Sequence, residues 1–158
     1  MKIKLSKLRR VIREQLQADI SLSTRSPKDL QQKFDAFMKE YESLTKRNPI
    51  GYQGDRYWYM GEIEGKYCLV VTNLNVFDGA ISFYSIQTVP PDICEKKGFA
   101  SKVMNQIVAL ADKHQVPMSL EVSPFGQESL GEKELESWYR RAGFERSDKY
   151  SQLIRQPK

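Results

Sequence analysis

The chain has 158 residues, 40% of them hydrophobic and 28% charged, with 25 Lys and Arg against 20 Asp and Glu for a net charge of +5. That length suits one domain whose core needs no metal or disulfide staple, and no apolar run approaches the ~18 residues of a membrane span. The positive balance favours anionic partners, a description that fits a nucleotide cofactor as well as a nucleic acid.

Met1-Lys2-Ile3-Lys4 runs straight into charged residues instead of an apolar stretch with a cleavage site. This argues against a secretory signal and for a cytoplasmic protein. Leu5, Leu8, Ile12 and Leu16 then recur at three- and four-residue spacing among Lys, Arg and Gln, which predicts an amphipathic helix with one basic face. Such a helix packs on its own domain, binds a partner or an anionic surface, or serves as a detachable arm. A second helix is signposted by Ser26 as cap, Pro27 at the first helical position and Asp29 in a capping-box-like place. It should run to about Lys46, with Leu30, Phe34, Phe37, Met38, Tyr41 and Leu44 as its apolar stripe. Residues 1–48 thus form a helical segment, ended by Asn48-Pro49-Ile50-Gly51.

Three strands follow at 56–63, 66–73 and 79–89, rich in Tyr, Val, Ile, Phe and Thr and parted by Glu64-Gly65 and by residues 75–79. They should pair antiparallel. Arg56, Tyr57, Trp58 and Tyr59 read as sheet packing, with a stacking surface for single-stranded nucleic acid as the alternative. A helix over 98–114 keeps Phe99, Val103, Met104, Ile107, Val108 and Ala111 on one face, and a short buried strand covers 118–123. Strand, helix and strand in that order make a right-handed crossover, so 82–89 and 118–123 should lie parallel. A loop rich in Gly, Ser and Glu leads to a helix over 132–141 stopped by Ala142-Gly143, and 144–155 reads as a final strand or hairpin with Lys149-Tyr150 at its turn.

Cys68 in a strand and Cys94 in a turn have neither the count nor the spacing of a disulfide framework or a zinc site, which predicts free thiols in a reducing compartment and no bound metal. His114, the single histidine, falls at the far end of a helix from Cys94, where it complements the helix dipole.

The most informative stretch is 89–104, VPPDICEKKGFASKVM: a strand end, a basic glycine-containing turn and the first turns of a helix. Unpaired N–H groups at a helix N-terminus carry partial positive charge and cradle anions such as a pyrophosphate. Lys96, Lys97 and Lys102 add counter-charge.

Three pieces of this sequence, EKKGFA with Gly98 and Ala100, the helix SKVMNQIVALADKH, and the late LESWYRRAGF, together resemble the GNAT superfamily of N-acetyltransferases over roughly 55–157. The resemblance implies one α+β domain over 1–158: a mixed, mostly antiparallel sheet with splayed central strands, flanked by helices, plus the N-terminal helical pair. It implies acetyl-coenzyme A as cofactor, with its pyrophosphate on Lys96, Lys97, Gly98, Phe99, Ala100 and Ser101 and its pantetheine arm lined by Thr88 and Val89. Pro90 and Pro91 match the proline that ends this strand in the family. Tyr139 takes the role of protonating the departing thiolate, although its helical spacing with Leu135, Trp138 and Ala142 leaves a packing role open.

A backbone N–H near Thr88 or Val89 would polarise the carbonyl. Glu121 would accept the amine proton, with Asp78 and Glu62 as substitutes. Three departures from the pattern stand out: Glu95 stands where the family has Arg or Gln; Lys96 stands where many members have Gly, after a segment over 90–95 that is about one residue longer than the pattern; and the asparagine often found ahead of the late tyrosine helix is missing, with Glu132 near its place. The acceptor would be an amine-bearing substrate, drawn by Asp92, Glu121, Glu128, Glu132 and Glu134. The competing reading is a non-catalytic module of the same fold that binds a protein or nucleic acid through the basic N-terminal helix; a membrane partner is not expected.

Overall fold

The computed structural model describes residues 27–122, 131–148 and 152–158. The amphipathic stretch around Leu5 to Leu16, Ser26, the loop carrying Glu128, and the turn at Lys149-Tyr150 lie outside them. The elements run α1 (Pro27–Leu44), β1 (Lys46–Arg47), β2 (Asp55–Ile63), β3 (Lys66–Phe77), β4 (Ala80–Val89), α2 (Pro91–Cys94), α3 (Phe99–His114), β5 (Met118–Glu121), α4 (Glu132–Arg141), β6 (Glu145–Arg146) and β7 (Gln152–Arg155). The described residues from Lys33 onward belong to one compact unit. Among the described residues no helix is long and apolar enough to cross a membrane.

The sheet has seven strands in the order β1-β2-β3-β4-β5-β7-β6. Every pair is antiparallel except β4 with β5, the parallel pair that the crossover predicts. The fold is therefore the mixed α/β architecture expected: a mostly antiparallel sheet with helices packed against it.

Alternation along β3 places Cys68, Val70, Thr72 and Leu74 on one face, all at 5% exposure or less. The contacts of the helices fall there. Tyr41 of α1 is fully buried, and its hydroxyl meets Thr72 Oγ1 at 2.8 Å while Trp58 Nε1 donates to the same oxygen at 3.1 Å. This satisfies three polar groups inside an apolar layer, where an unpaired one would cost about 1–3 kcal/mol. Helix α3 buries Val103, Met104, Ile107, Leu110 and Ala111 and ends at Gln115 in the left-handed region, with Lys113 and His114 in its last turn. His114 lies where the sequence puts it, but it also joins α1: its Nε2 is 2.7 Å from Glu40 Oε2, to which Lys113 Nζ also donates at 2.8 Å.

Arg155 on β7 is 3% exposed and forks onto both Asp112 oxygens of α3 at 2.7 and 2.8 Å, while its Nε donates to the Ala142 carbonyl at the end of α4 at 3.1 Å. One guanidinium thus fastens the last strand to two helices.

Several expectations need correction. Cys68 and Cys94 are not free thiols: they form a disulfide across a Cα separation of 5.6 Å. The chain between them, a sequence separation of 26, is folded back by the β3–β4 hairpin, which spacing along the chain does not reveal. With that pair oxidised, the cysteines no longer argue for a reducing compartment.

The run from Arg56 to Tyr59 is not one patch, because pleating separates it. Trp58 is buried on Thr72, Arg56 donates to Thr45 Oγ1 and to the Glu42 and Thr45 carbonyls, and Tyr59 is exposed on the other face against Tyr67. Strand β3 continues to Phe77, past the predicted end at 73, and residues 91–94 form a helical turn, α2.

Candidate active site

The site is built where β4 and β5 part. They share three rungs, Ile81↔Met118, Ser82↔Ser119 and Phe83↔Leu120. Immediately afterwards β4 carries a bulge: the register with β3 jumps from Leu74↔Phe83 to Asn73↔Ser85, leaving Tyr84 as the extra residue. A bulge bends its strand and increases the local twist. Past it, β4 runs on to Val89 with β3 on one side and, among the described strands, none on the other. The resulting opening is the splay that the family resemblance implies.

Thr88 and Val89 stand at the far end of this free edge, both half-buried and paired to Val70 and Leu69 of β3. Glu121 is exposed, one rung beyond Phe83↔Leu120, and so borders the opening from the β5 side. Asp78 lies in the turn at the opposite end of β4, and Glu62 lies on β2, two strands away. Neither borders the opening.

Pro90 ends β4 with φ −71°, Pro91 starts α2, and the chain then turns through two left-handed residues, Lys96 at φ 59° and Gly98 at φ 78°. Gly98 is the cap of α3. The Lys102 N–H makes the first helical bond, to the Gly98 carbonyl at 3.0 Å, which leaves the amides of Phe99, Ala100 and Ser101 without a partner inside the helix. A Cβ placed on Gly98 meets no atom within 4 Å, so the space over the turn is open. Lys96, Lys97 and Lys102 are exposed around it. Free amides at a helix N-terminus, an open approach and three cations suit a diphosphate.

Helix α4 closes the site from beside α3. The Trp138 indole N–H donates to Ser101 Oγ at 3.0 Å, and a cleft of about 280 Å³ between the two helices is lined by Ser101, Met104, Asn105, Trp138, Arg141 and Ala142. Tyr139 is 7% exposed, with its ring 6.3 Å from Phe83 and 6.0 Å from Phe144. Phe83 is the last residue of β4 paired with β5, so Tyr139 sits against the apex of the opening. Its hydroxyl has no hydrogen-bond partner among the described residues, and burial alone pushes its pKa up to about 12.

The structure thus gathers Thr88, Val89, Glu121, Tyr139 and the 96–101 turn around one end of the sheet, and leaves out Asp78 and Glu62. Trp138 was legible only as part of an apolar stripe, since nothing in its spacing shows the bond to Ser101. Tyr84 carries no signal in the sequence at all, because a bulge depends on the partner strand.

No family model matches this chain, and no curated protein matches it. Among solved structures it is similar to the crystal structure of the anti-CRISPR protein AcrVA5, at 13% identity and a TM-score of 0.43, over 64% of this chain and 97% of that one.

Proposed function

We propose that the chain is an acetyl-coenzyme A-dependent N-acetyltransferase acting on a primary amine. The observation that carries this reading is the coincidence, at one end of the sheet, of an opening between two parallel strands, a tyrosine against its apex and a helix N-terminus with free amides beside it.

The donor set fits the cofactor: Phe99, Ala100 and Ser101 offer backbone N–H groups, Lys96 and Lys97 offer charge, and Gly98 leaves room above them. Thr88 and Val89 would line the arm. When bound, the cofactor supplies an acetyl group activated as a thioester. Glu121 would take the proton from an ammonium acceptor and leave a neutral, nucleophilic amine. A free backbone N–H on the unpaired edge of β4 would donate to the developing oxyanion.

Tyr139, with its pKa pushed up to about 12, keeps its proton throughout the neutral range. A donor so much weaker than a thiol of pKa about 8.5 acts chiefly by hydrogen-bonding to charge as it builds on sulfur. Glu95 precedes the turn as an exposed residue, which lets solvent screen its repulsion of a polyanion.

The test is calorimetry with acetyl-coenzyme A on the full chain and on Gly98→Glu, followed by mass spectrometry of amines incubated with labelled cofactor. Micromolar binding abolished by the substitution supports the reading. Absence of binding in the unaltered chain removes it.

A further inference from the structure

We propose that the Cys68–Cys94 disulfide is a redox-sensitive tether that holds the 95–101 turn in its ligand-ready shape. The inference rests on the cofactor reading for its consequence, but not for its mechanism.

Helix α2 is one turn long, far below the ~12 residues at which a helix begins to hold itself together. Its backbone bonds, from Cys94 N to the Pro90 carbonyl and from Glu95 N to the Pro91 carbonyl, are both local. Cys94 is its one buried residue. The buried contact that fixes α2 to the sheet is therefore the sulfur bridge to Cys68. Cys68 lies near the start of β3, paired to Gly61 of β2 and one residue before Leu69, the partner of Val89. The bridge thus reaches from β3, past the end of β4, to a point four residues ahead of Gly98.

The turn beyond Cys94 cannot hold its own shape cheaply. Lys96 occupies the left-handed region, which disfavours any residue with a Cβ. A turn containing such a residue persists only when its ends are held. One end is held by α3, and the other by the disulfide.

Both cysteines are buried, at 0% and 1% exposure. A reductant therefore gains access only when α2 lifts from the sheet. In that step a dithiol delivers two electrons and two protons: its thiolate attacks one sulfur, the Cys68–Cys94 bond breaks, the mixed disulfide resolves within the reductant, and Cys68 and Cys94 leave as thiols. Reduction relaxes α2 and the turn while the sheet, which needs no bridge for its pairing, stays intact. Ligands that bind the oxidised form more tightly shift the equilibrium toward the disulfide, by the reciprocity of linked equilibria.

The experiment is amide hydrogen exchange on the full chain, oxidised and after treatment with dithiothreitol, with the redox state fixed by alkylation and intact mass. Cys68→Ser and Cys94→Ser serve as permanently open forms. The expected result is faster exchange confined to residues 91–102, with β3 protection unchanged, in the reduced chain and in both variants alike. Unchanged exchange in 91–102 overturns the proposal, and so does loss of protection across the whole sheet, which would make the bridge a global staple. A parallel titration with coenzyme A should show affinity at least about fivefold weaker in the reduced chain. Equal binding in both states would sink the functional consequence. If neither state binds coenzyme A, the transferase reading fails while the exchange data still decide the tether.

Discussion

Replacing Gly98 by alanine separates backbone strain from ligand approach, because the molecule contains its own controls. Gly65, Gly79 and Gly98 have φ values of 75°, 73° and 78°, and at all three an added Cβ meets no atom within 4 Å. The native-state cost of alanine in this region is about 1–2 kcal/mol. The reduced freedom of the unfolded chain offsets about 0.4–1 kcal/mol of it. Each variant should therefore lose about 1 kcal/mol, a fall in melting temperature of about 2–4 °C for a domain of this size.

Only at Gly98 does the new methyl stand over free helix amides. Gly98→Ala should weaken coenzyme A binding at least about tenfold, equivalent to about 1.4 kcal/mol, while Gly65→Ala and Gly79→Ala bind normally. Melting curves and calorimetry on the three proteins check this. Equal affinities across the set, with equal losses in melting temperature, would refute the claim that the open space over Gly98 is where the diphosphate comes in.

Lys96→Gly relieves a strained backbone and should raise stability by about 0.5–1 kcal/mol in urea unfolding, the left-handed cost less the entropy of the freer unfolded chain. Tyr139→Phe removes a hydroxyl with no partner among the described residues, so its melting temperature should stay within about 2 °C while turnover falls by about 10²-fold or more, the scale of a lost hydrogen-bond donor to developing charge. Unchanged turnover would return Tyr139 to a packing role. The hydrogen bonds of Arg155 hold the Asp112 carboxyl below its usual 3.8. A carboxyl with a depressed folded pKa stabilises fully above its unfolded value and loses that contribution as pH falls through the folded one. Stability should therefore drop below about pH 4, and Asp112→Asn should flatten that part of the profile while lowering stability at neutral pH, because it leaves the Arg155 charge buried without its counter-ion.

The order of elements was legible because its signals are local. Proline at the start of α1, the apolar spacing of α3, and Ala142-Gly143 after α4 are decided within one or two helical turns, and those helices fall within two residues of expectation. The parallel pairing of β4 with β5 followed from handedness alone. Features that depend on residues distant in sequence were not legible. The bulge at Tyr84 is a mismatch between two strands, the Arg155 clamp joins groups 43 residues apart, and the disulfide closes over a hairpin. Lys96 is intermediate: its departure from the glycine of the family pattern was visible, and the structure shows that the backbone keeps the glycine-like conformation despite the side chain. At the site, the sequence grouped the turn, Tyr139 and Glu121, and the structure places all three around one end of the sheet. It could not exclude Asp78 or Glu62, because that requires knowing which end of each strand borders the opening.

Binding of an acyl carrier's diphosphate by the peptide amides that open α3 can be followed by titrating coenzyme A into isotopically labelled protein and recording backbone amide resonances. The expected result is saturable shifts that are largest at Gly98, Phe99, Ala100 and Ser101, with smaller ones at Thr88 and Val89. Shifts centred elsewhere, or none at millimolar ligand, would contradict it.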